Sequence, residues 1–289
     1  MDNRNIFVDM TDLKLLSFTD IHCHCLPGVD DGPAAVSEAI ALCQGLVEDG
    51  INTAIATPHQ LGRFSETNEA VQIRQAVADF NNILQNNGIN LAVFPGGDVR
   101  VDERICELLA SDKILTLADG GKYILLELPH QIFLDIEPLL AELSSMGIQA
   151  IISHPERHPF LARAPQMIPN LQTRADSLGV PPKWFDYPIH LQITAGSLLG
   201  QFGQQAKTAA WYFLKTCLAS LVATDCHDLG SRRPCMKAAF QVISAQLGRE
   251  VAKRVCVDNP AKILHGQNIE SSRAIGTRMS SDGVLPTNF

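Results

Sequence analysis

Histidine and carboxylate side chains follow short apolar, β-branched runs at several points in this sequence. The first such run leads into Asp20-Ile-His-Cys-His24. Residues i and i+2 of an extended segment share a face, so we expect His22 and His24 to point together, with Asp20 on the same side. Imidazoles and carboxylates that converge in this way are typical of a divalent metal site. The other runs place further candidates at His59, Asp98, Glu127, His154, Asp225 and His227.

The number and mixture of these side chains bear on the kind of site. A single histidine at a strand end is more often a structural residue, and Asp30 and Asp31 could simply cap the helix that begins near Pro33. A set with this many nitrogen and oxygen ligands exceeds what one tetrahedral ion can use. We therefore predict two or three divalent cations, with Mn, Fe or Zn suited to the ligands and Mg as a further possibility.

Arginines follow two of the candidate ligands closely. Arg157 lies three residues after His154, and Arg232 and Arg233 lie five and six residues after His227. A guanidinium group matches phosphate oxygens bidentately, so beside a multimetal site these arginines are candidate phosphate-binding groups. The eight cysteines are predicted to be reduced thiols without a catalytic role, since Cys23 and Cys226 alternate with the candidate ligands and point to the opposite face.

The apolar runs alternate with helix-length segments, which predicts an α/β fold with a parallel sheet. Seven runs over about 240 residues favour one distorted TIM-like barrel with its helices outside, whose active site lies at the C-terminal ends of the strands. The predicted strands are Leu15–Ile21, Ile51–Ala56, Ile89–Phe94, Tyr123–Leu128, Ile148–Ile152, Ile189–Ile193 and Ala219–Ala223. The predicted helices are Ala34–Glu48, Thr67–Gln85, Asp135–Ser145, Leu199–Thr216 and Cys235–Leu247.

Length and charge limit the possible domain organisation and the possible classes of partner. The 289 residues carry a net charge of −8 and no dense Lys/Arg stripe, which argues against nucleic acid as a partner. No run of about 18 apolar residues exists, so no membrane insertion is expected, and a cytoplasmic location is predicted. We expect an N-terminal extension (1–15), one barrel domain (16–266) and a flexible polar tail (267–289). Residues 157–188 are expected to hold a helix and an irregular loop.

Several longer blocks are more specific than the single residues. Pro27-Gly-Val-Asp-Asp-Gly32, His154-Pro-Glu-Arg157 and Gln192-Ile-Thr-Ala-Gly-Ser197 occur in order with Thr224-Asp-Cys-His227 and Asn259-Pro260. With these blocks the sequence resembles the polymerase and histidinol phosphatase (PHP) superfamily. It resembles more closely the bacterial metal-dependent protein tyrosine phosphatases of capsule and exopolysaccharide loci, the CpsB/YwqE group.

The resemblance implies a PHP barrel with a trinuclear, usually manganese-dependent site. By motif position its ligands would be His22, His24, Asp31, His59, Asp98, Glu127, His154, Asp225 and His227. Asp98 stands where the group usually has Glu, and Gln60 stands where a second His often follows. Arg157 and Arg232 would bind the phosphate, with Arg233 beside them, and His227 and Asp31 are both candidates for the general acid.

The implied reaction is single-step hydrolysis of a phosphomonoester. The implied substrate is a phosphotyrosine protein, namely the C-terminal tail of a bacterial tyrosine kinase that regulates exopolysaccharide synthesis. Three alternatives remain open from the residues: a small phosphomonoester such as histidinol phosphate, a nucleic-acid 3′ end, and a non-catalytic module that binds phosphopeptides. A homo-oligomer is possible, although no residue specifies one.

Overall fold

The computed structural model describes residues 16–64, 67–163 and 180–269. Within these ranges every paired strand is parallel to its neighbour. The strands are β1 (Phe18–Cys23), β2 (Ile51–Ala56), β3 (His59–Gln60), β4 (Ala92–Pro95), β5 (Asp98–Arg100), β6 (Tyr123–Glu127), β7 (Gln149–Ser153), β8 (Ile189–Thr194) and β9 (Ala219–Ala223). The helices are α1 (Val36–Glu48), α2 (Ala70–Asn86), α3 (Ile105–Ala110), α4 (Glu137–Ser145), α5 (Ala195–Leu199), α6 (Gly203–Lys215), α7 (Met236–Leu247), α8 (Arg249–Lys253) and α9 (Asn259–Leu264).

The strands form two parallel sheets. The chain passes from the smaller to the larger sheet between β2 and β3 and again between β4 and β5. One sheet has the order β1-β2-β4, and the other has the order β3-β5-β6-β7-β8-β9. A bridge between Cys23 and Cys226 brings the end of β1 beside the segment that follows β9. The predicted α/β architecture with parallel strands is thereby confirmed, as a barrel-like arrangement in two sheets.

Two of the seven predicted strands are each followed, after a break of two residues, by a second short strand. Pro58 separates β2 from β3, and the pair Gly96-Gly97 separates β4 from β5. A Cβ atom on Gly97 would lie 2.2 Å from the side-chain oxygen of Gln60, so only glycine permits this close approach. Both interruptions lie beside a candidate ligand, because His59 and Asp98 begin the strands that follow and pair with each other in register.

The apolar residues divide into a barrel interior and a larger outer layer. The interior cluster contains Ile21, Ile55, Leu125, Ile151 and Leu221, one from each of five strands. Ile269 packs into the same cluster, and the hydroxyl of Tyr123 donates a hydrogen bond to the carbonyl of Gln267. Residues 267–269 of the predicted tail therefore pack against the barrel.

Other expectations need correction or lie outside the described residues. The predicted helix Leu199–Thr216 is observed as α6 over Gly203–Lys215, but Leu199 ends the separate helix α5, and the chain turns between them at Gly200 with φ 92°. In 157–188 the described residues form short 3₁₀ turns, Leu161–Arg163 and Pro182–Asp186. Residues 164–179, the extension 1–15 and the tail from 270 onward are outside the described ranges. None of the described helices has both the length and the apolar character needed to cross a bilayer.

Candidate active site and metal centre

The structure brings all nine predicted ligands to one end of the barrel. Their ligand atoms form four overlapping groups, each with its atoms within 4.8 Å of one another. Neighbouring groups share members, so the nine side chains make one continuous centre. The groups are His24/Asp31/His59/His227, His22/His24/Asp225, His22/Asp98/His154 and His59/Asp98/Glu127.

A bulge in β1 sets the direction of the first two histidines. Asp20 pairs with Ala54, but the next matched pair is Cys23 with Ala56, so three steps along β1 match two along β2. The extra residue changes which side chains share a face. Asp20 consequently lies with Cys23 and Cys226, apart from the histidines. The prediction that Asp20 shares their side was wrong, because it assumed unbroken alternation.

Asp20 has a structural role at this point. It accepts hydrogen bonds from the backbone amide of Thr224, at 3.0 Å, and from the Thr224 hydroxyl. Burial raises the pKa of Asp20 to about 6, against the lowering effect of those hydrogen bonds. Asp20 therefore connects β1 to the segment after β9, immediately before Asp225.

Two of the ligands have an unusual backbone conformation. His154 has φ 36° and Asp225 has φ 52°, in the left-handed region that non-glycine residues rarely adopt. His154 directly follows β7, and Asp225 lies two residues after the end of β9, where the chain must turn out of the sheet. Such strain persists where the surrounding structure holds it, and it concentrates at functional sites. Here it accompanies the turn of both side chains into the centre.

Buried polar atoms in the centre show that the residues fit a cation. Neither carboxylate oxygen of Asp98 has a hydrogen-bond partner among the described residues, and the same holds for Asp225 Oδ1 and His227 Nε2. Asp98 Oδ2 does lie 3.7 Å from His22 Nε2 and 3.5 Å from His59 Nδ1. A buried carboxylate without hydrogen bonds is costly unless a positive charge compensates it. Divalent cations held by these atoms would provide that charge. Asp98, although its side chain is shorter than that of the Glu usual in the CpsB/YwqE group, still places its carboxylate in the centre.

The protonation states of two of these groups, His24 and Asp98, favour ligation. Burial, together with nearby His227, lowers the pKa of His24 to about 4, so its ring is neutral and able to donate a lone pair at pH 7. Burial would raise the pKa of Asp98, but His22 and His59 hold it below its ordinary value. The centre thus combines a neutral imidazole with an ionised carboxylate, as metal binding requires.

Asp30 and Gln192 orient two of these histidines. His24 Nδ1 lies 2.6 Å from Asp30 Oδ2, which also accepts the backbone amide of His59 at 3.1 Å. His22 Nδ1 lies 2.8 Å from Gln192 Oε1. Partners of this kind fix the ring orientation of a ligating histidine and leave the other nitrogen for the metal. The residue at the N-cap of α1 is Ala35, so capping does not account for Asp30 or Asp31.

Replacing Asp30 by asparagine should weaken metal binding without unfolding the barrel. Asparagine keeps the shape but removes the charge that orients His24, so we expect about 10- to 100-fold weaker metal affinity, as for other outer-sphere partners. Calorimetric titration of metal-free protein with Mn²⁺ measures this. Asp79→Asn, an exposed position on α2, is the matched control and should bind as wild type does. Equal affinities for the two variants would contradict the role given to Asp30.

Two arginines share one carboxylate of the centre. Asp225 Oδ2 accepts a hydrogen bond from Arg157 Nη2 and another from Arg232 Nη2, the latter at 2.6 Å. Burial would raise the pKa of Asp225, but Arg157, His22 and Arg232 hold it well below its ordinary value. Nε of each arginine is buried without a hydrogen-bond partner in the described chain.

Glu156 connects the block His154-Pro-Glu-Arg157 to the block Gln192-Ile-Thr-Ala-Gly-Ser197. This carboxylate is fully buried and accepts hydrogen bonds from Thr194 N at 3.0 Å and Ser197 Oγ at 2.7 Å. It thereby fastens the turn after β7 to the start of α5. The guanidinium carbon of Arg157 lies 4.6 Å from the ring centroid of Phe202, which fixes its other side. Arg157 is therefore positioned before any ligand arrives.

A cavity of about 450 Å³ opens over the centre. Arg157 and Arg232 line it together with Asp31, His59, Glu127 and His154. Arg233 is exposed and does not line this cavity, so the structure does not bring it to the other two arginines. The cavity also has lining residues that the sequence analysis missed, namely Arg63, Phe64, Arg100 and His130. Arg100 and His130 could have been found from their positions at the end of β5 and three residues after Glu127.

The cysteines lie away from the cavity. Cys23 and Cys226 are buried with their sulfur atoms 3.4 Å apart, on the side of β1 opposite the histidines. No cysteine is among the residues that line the cavity over the metal centre. The structure therefore agrees with the prediction that Cys23 and Cys226 point away from the ligands. Gln60 is likewise buried outside the centre, where it hydrogen-bonds the backbone of Asn68 and Leu115.

Comparison with known proteins identifies the family. A sequence model of the family described as "Capsular polysaccharide synthesis, CpsB/CapC" matches residues 18–265. The chain belongs to the CpsB/CapC family. It is 32% identical to the tyrosine-protein phosphatase YwqE of Bacillus subtilis (strain 168) over 86% of this chain and 92% of that protein. It is 30% identical to the tyrosine-protein phosphatase CpsB of Streptococcus pneumoniae, over 86% of this chain and 99% of that protein.

A structural comparison agrees with the sequence match. The fold superposes with a TM-score of 0.78 on a solved structure from work on YwqE of Bacillus subtilis and CpsB of Streptococcus pneumoniae, called unique metal-dependent tyrosine phosphatases. The sequences are 31% identical, and the match covers 87% of this chain and 96% of that one. The resemblance to the CpsB/YwqE group is thus confirmed over nearly all of the described residues.

Proposed function

We propose that this CpsB/CapC-family chain is a metal-dependent protein tyrosine phosphatase. The observation that carries the proposal is the joining of the nine-ligand centre to two arginines through one carboxylate, Asp225, at the base of a cavity. A phosphoryl group needs cations on one side and fixed guanidinium donors on the other, and this cavity offers both. Family membership and the named activity of the relatives support the same reaction.

The chain's own residues bind and orient the substrate. Arg157 and Arg232 lie where they can bind the non-bridging oxygens of the phosphoryl group and neutralise the charge that develops on them. Divalent cations bound at the centre would supply Lewis-acid activation of water and of the phosphoryl group. The bond between phosphorus and the phenolic oxygen then breaks as water's oxygen bonds to phosphorus. Tyrosine leaves readily because its hydroxyl has a pKa of about 10.

The finer assignments are part of the same proposal. We propose two or three ions, with manganese as the preferred metal, held by the nine residues of the centre. Arg157 and Arg232 bind the phosphate. His227 rather than Asp31 supplies the proton, because hydrogen bonds from His227 and His59 hold the pKa of Asp31 well below its ordinary value and keep that carboxylate ionised. The physiological substrate is a phosphotyrosine protein, the C-terminal tail of a tyrosine kinase of exopolysaccharide synthesis. The cytoplasmic location stays a prediction.

Metal removal tests the function directly. Protein treated with a chelator should lose hydrolysis of a phosphotyrosyl peptide, and Mn²⁺ should restore it, because the centre requires divalent cations. Iodoacetamide applied to the restored enzyme should leave the rate unchanged, since no cysteine lines the cavity. Histidinol phosphate serves as the comparison substrate and should turn over at least about tenfold more slowly, because its leaving group is an alkyl alcohol and not the more acidic phenol of tyrosine. Thiol-sensitive activity, or faster turnover of histidinol phosphate, would contradict the proposal.

A further inference from the structure

The cavity over the metal centre has a second pair of arginines on its opposite wall. Arg63 follows β3, and Arg100 ends β5. These two strands are at one end of the larger sheet, whereas Arg157 and Arg232 come after β7 and β9 toward its other end. All four arginines line the same cavity, although the chain as a whole has a net charge of −8. The positive charge is therefore concentrated at this site against the overall balance.

Each arginine of the second pair contacts the outer side of a predicted ligand. Asp31 turns Oδ1 toward His59 and His227, at 3.3 Å from each Nε2, and Oδ2 toward Arg63 Nη2 at 3.1 Å. Arg100 Nη1 lies 3.0 Å from Glu127 Oε2 and also donates to the carbonyl of Leu128. These contacts use one terminal nitrogen of each guanidinium. The remaining N–H groups are available to a ligand, as far as the described residues show.

The four arginines differ in exposure. The side chain of Arg63 is 68% exposed, those of Arg100 and Arg232 are similar at 31% and 27%, and that of Arg157 is 14% exposed. The guanidinium carbon of Arg63 lies over the ring of Phe64, 4.7 Å from its centroid, and Phe64 stacks on His59. Arg63 and Arg100 are thus oriented by their surroundings at the wall of the cavity away from Arg157 and Arg232. A phosphoryl group held at the base by Arg157 would leave Arg63 and Arg100 facing whatever chain the phosphotyrosine belongs to.

From this arrangement we infer that Arg63 and Arg100 form a recognition rim that selects phosphotyrosyl peptides with acidic residues beside the phosphotyrosine. The inference rests on the proposed phosphatase function and adds the sequence context that the site prefers. The carboxylates of such a peptide would pair with the two guanidinium groups through charge-assisted hydrogen bonds, which are stronger than hydrogen bonds between neutral groups. Neutral peptides would lose these contacts and keep only those to the phosphoryl group.

The test compares two peptides that differ only in charge. Both carry one phosphotyrosine, flanked by glutamates in one and by glutamines in the other. Wild-type enzyme with Mn²⁺ should show about tenfold higher kcat/KM for the acidic peptide, through KM, with the preference reduced at high ionic strength. Arg63→Gln and Arg100→Gln should each reduce the ratio of the two kcat/KM values about threefold, as expected for one partly exposed charge pair. Taking the ratio cancels any effect of either substitution on metal binding.

Arg104→Gln is the matched control. Arg104 is 53% exposed, pairs with Asp102 and does not line the cavity, so its loss changes net charge equally but should leave the ratio as in wild type. A wild-type ratio near one, or an equal reduction in Arg104→Gln, overturns the inference. Dissociation constants of non-hydrolysable phosphonate versions of both peptides give the same comparison without turnover. The two measurements separate the two proposals. Failure to hydrolyse either phosphotyrosyl peptide would contradict the phosphatase function, whereas equal dissociation constants for the acidic and neutral phosphonate peptides would contradict only the recognition rim.

Discussion

Replacing His154 by alanine is expected to lower kcat/KM for a phosphotyrosyl peptide by at least about 10³-fold, or roughly 4 kcal/mol of transition-state stabilisation. His154 is buried, and its ligand atom groups with those of His22 and Asp98. Burial and nearby Arg157 lower its pKa, so the ring is neutral and able to bind a cation. Its loss leaves only His22 and Asp98 in that group, which should also reduce the number of metal ions bound per chain.

Folding and metal content must be measured together with the rate. The variant should keep its circular dichroism spectrum and unfold in a cooperative transition, because one buried polar side chain contributes only about 1–3 kcal/mol. Elemental analysis of the Mn²⁺-loaded protein gives the metal content. His190→Gln is the matched control, since His190 is buried on β8 away from the centre and bonds Gln149. A folded His154→Ala protein with wild-type turnover would remove His154 from the mechanism.

Asp225→Asn should have an effect of similar size through a different route. Asparagine has nearly the same shape, but it removes the charge that both Arg157 and Arg232 contact. It also removes a negative charge 3.2 Å from His22 Nε2 and 3.4 Å from His24 Nε2. Metal binding and phosphate binding depend on the same carboxylate. We therefore expect a loss of about 10³-fold in kcat/KM, at the upper end of the effect of removing one oxyanion donor.

Product inhibition shows whether the arginines were displaced. If Asp225 orients them, the inhibition constant of inorganic phosphate should rise about tenfold in Asp225→Asn, even when Mn²⁺ is raised until the centre is saturated. Arg157→Lys provides the comparison, because lysine keeps the charge but cannot match phosphate bidentately. Unchanged phosphate inhibition in Asp225→Asn would show that Asp225 serves the metals alone.

The sequence by itself determined the type of chemistry and the order of the elements. Apolar runs followed by His59, Glu127, His154 or Asp225 predicted a parallel α/β fold with its site at the strand ends, and the described strands agree. The physical reason is local: a buried parallel strand needs a continuous apolar run, and its carboxyl end opens onto the rim. The spacing between Arg157 and His154 likewise requires only a short turn. Such features are set by neighbouring residues.

Tertiary structure alone decided which distant side chains meet and in which direction they point. The bulge in β1 moved Asp20 away from the histidines, and no strict alternation rule could have placed it correctly. Asp30 lies in a loop and contacts His24, and Gln192 contacts His22 although 170 residues separate them along the chain. Arg63 and Arg100 line the same cavity because β3 and β5 pair in the sheet. These contacts depend on register and long-range packing, which a single sequence does not encode in any local pattern.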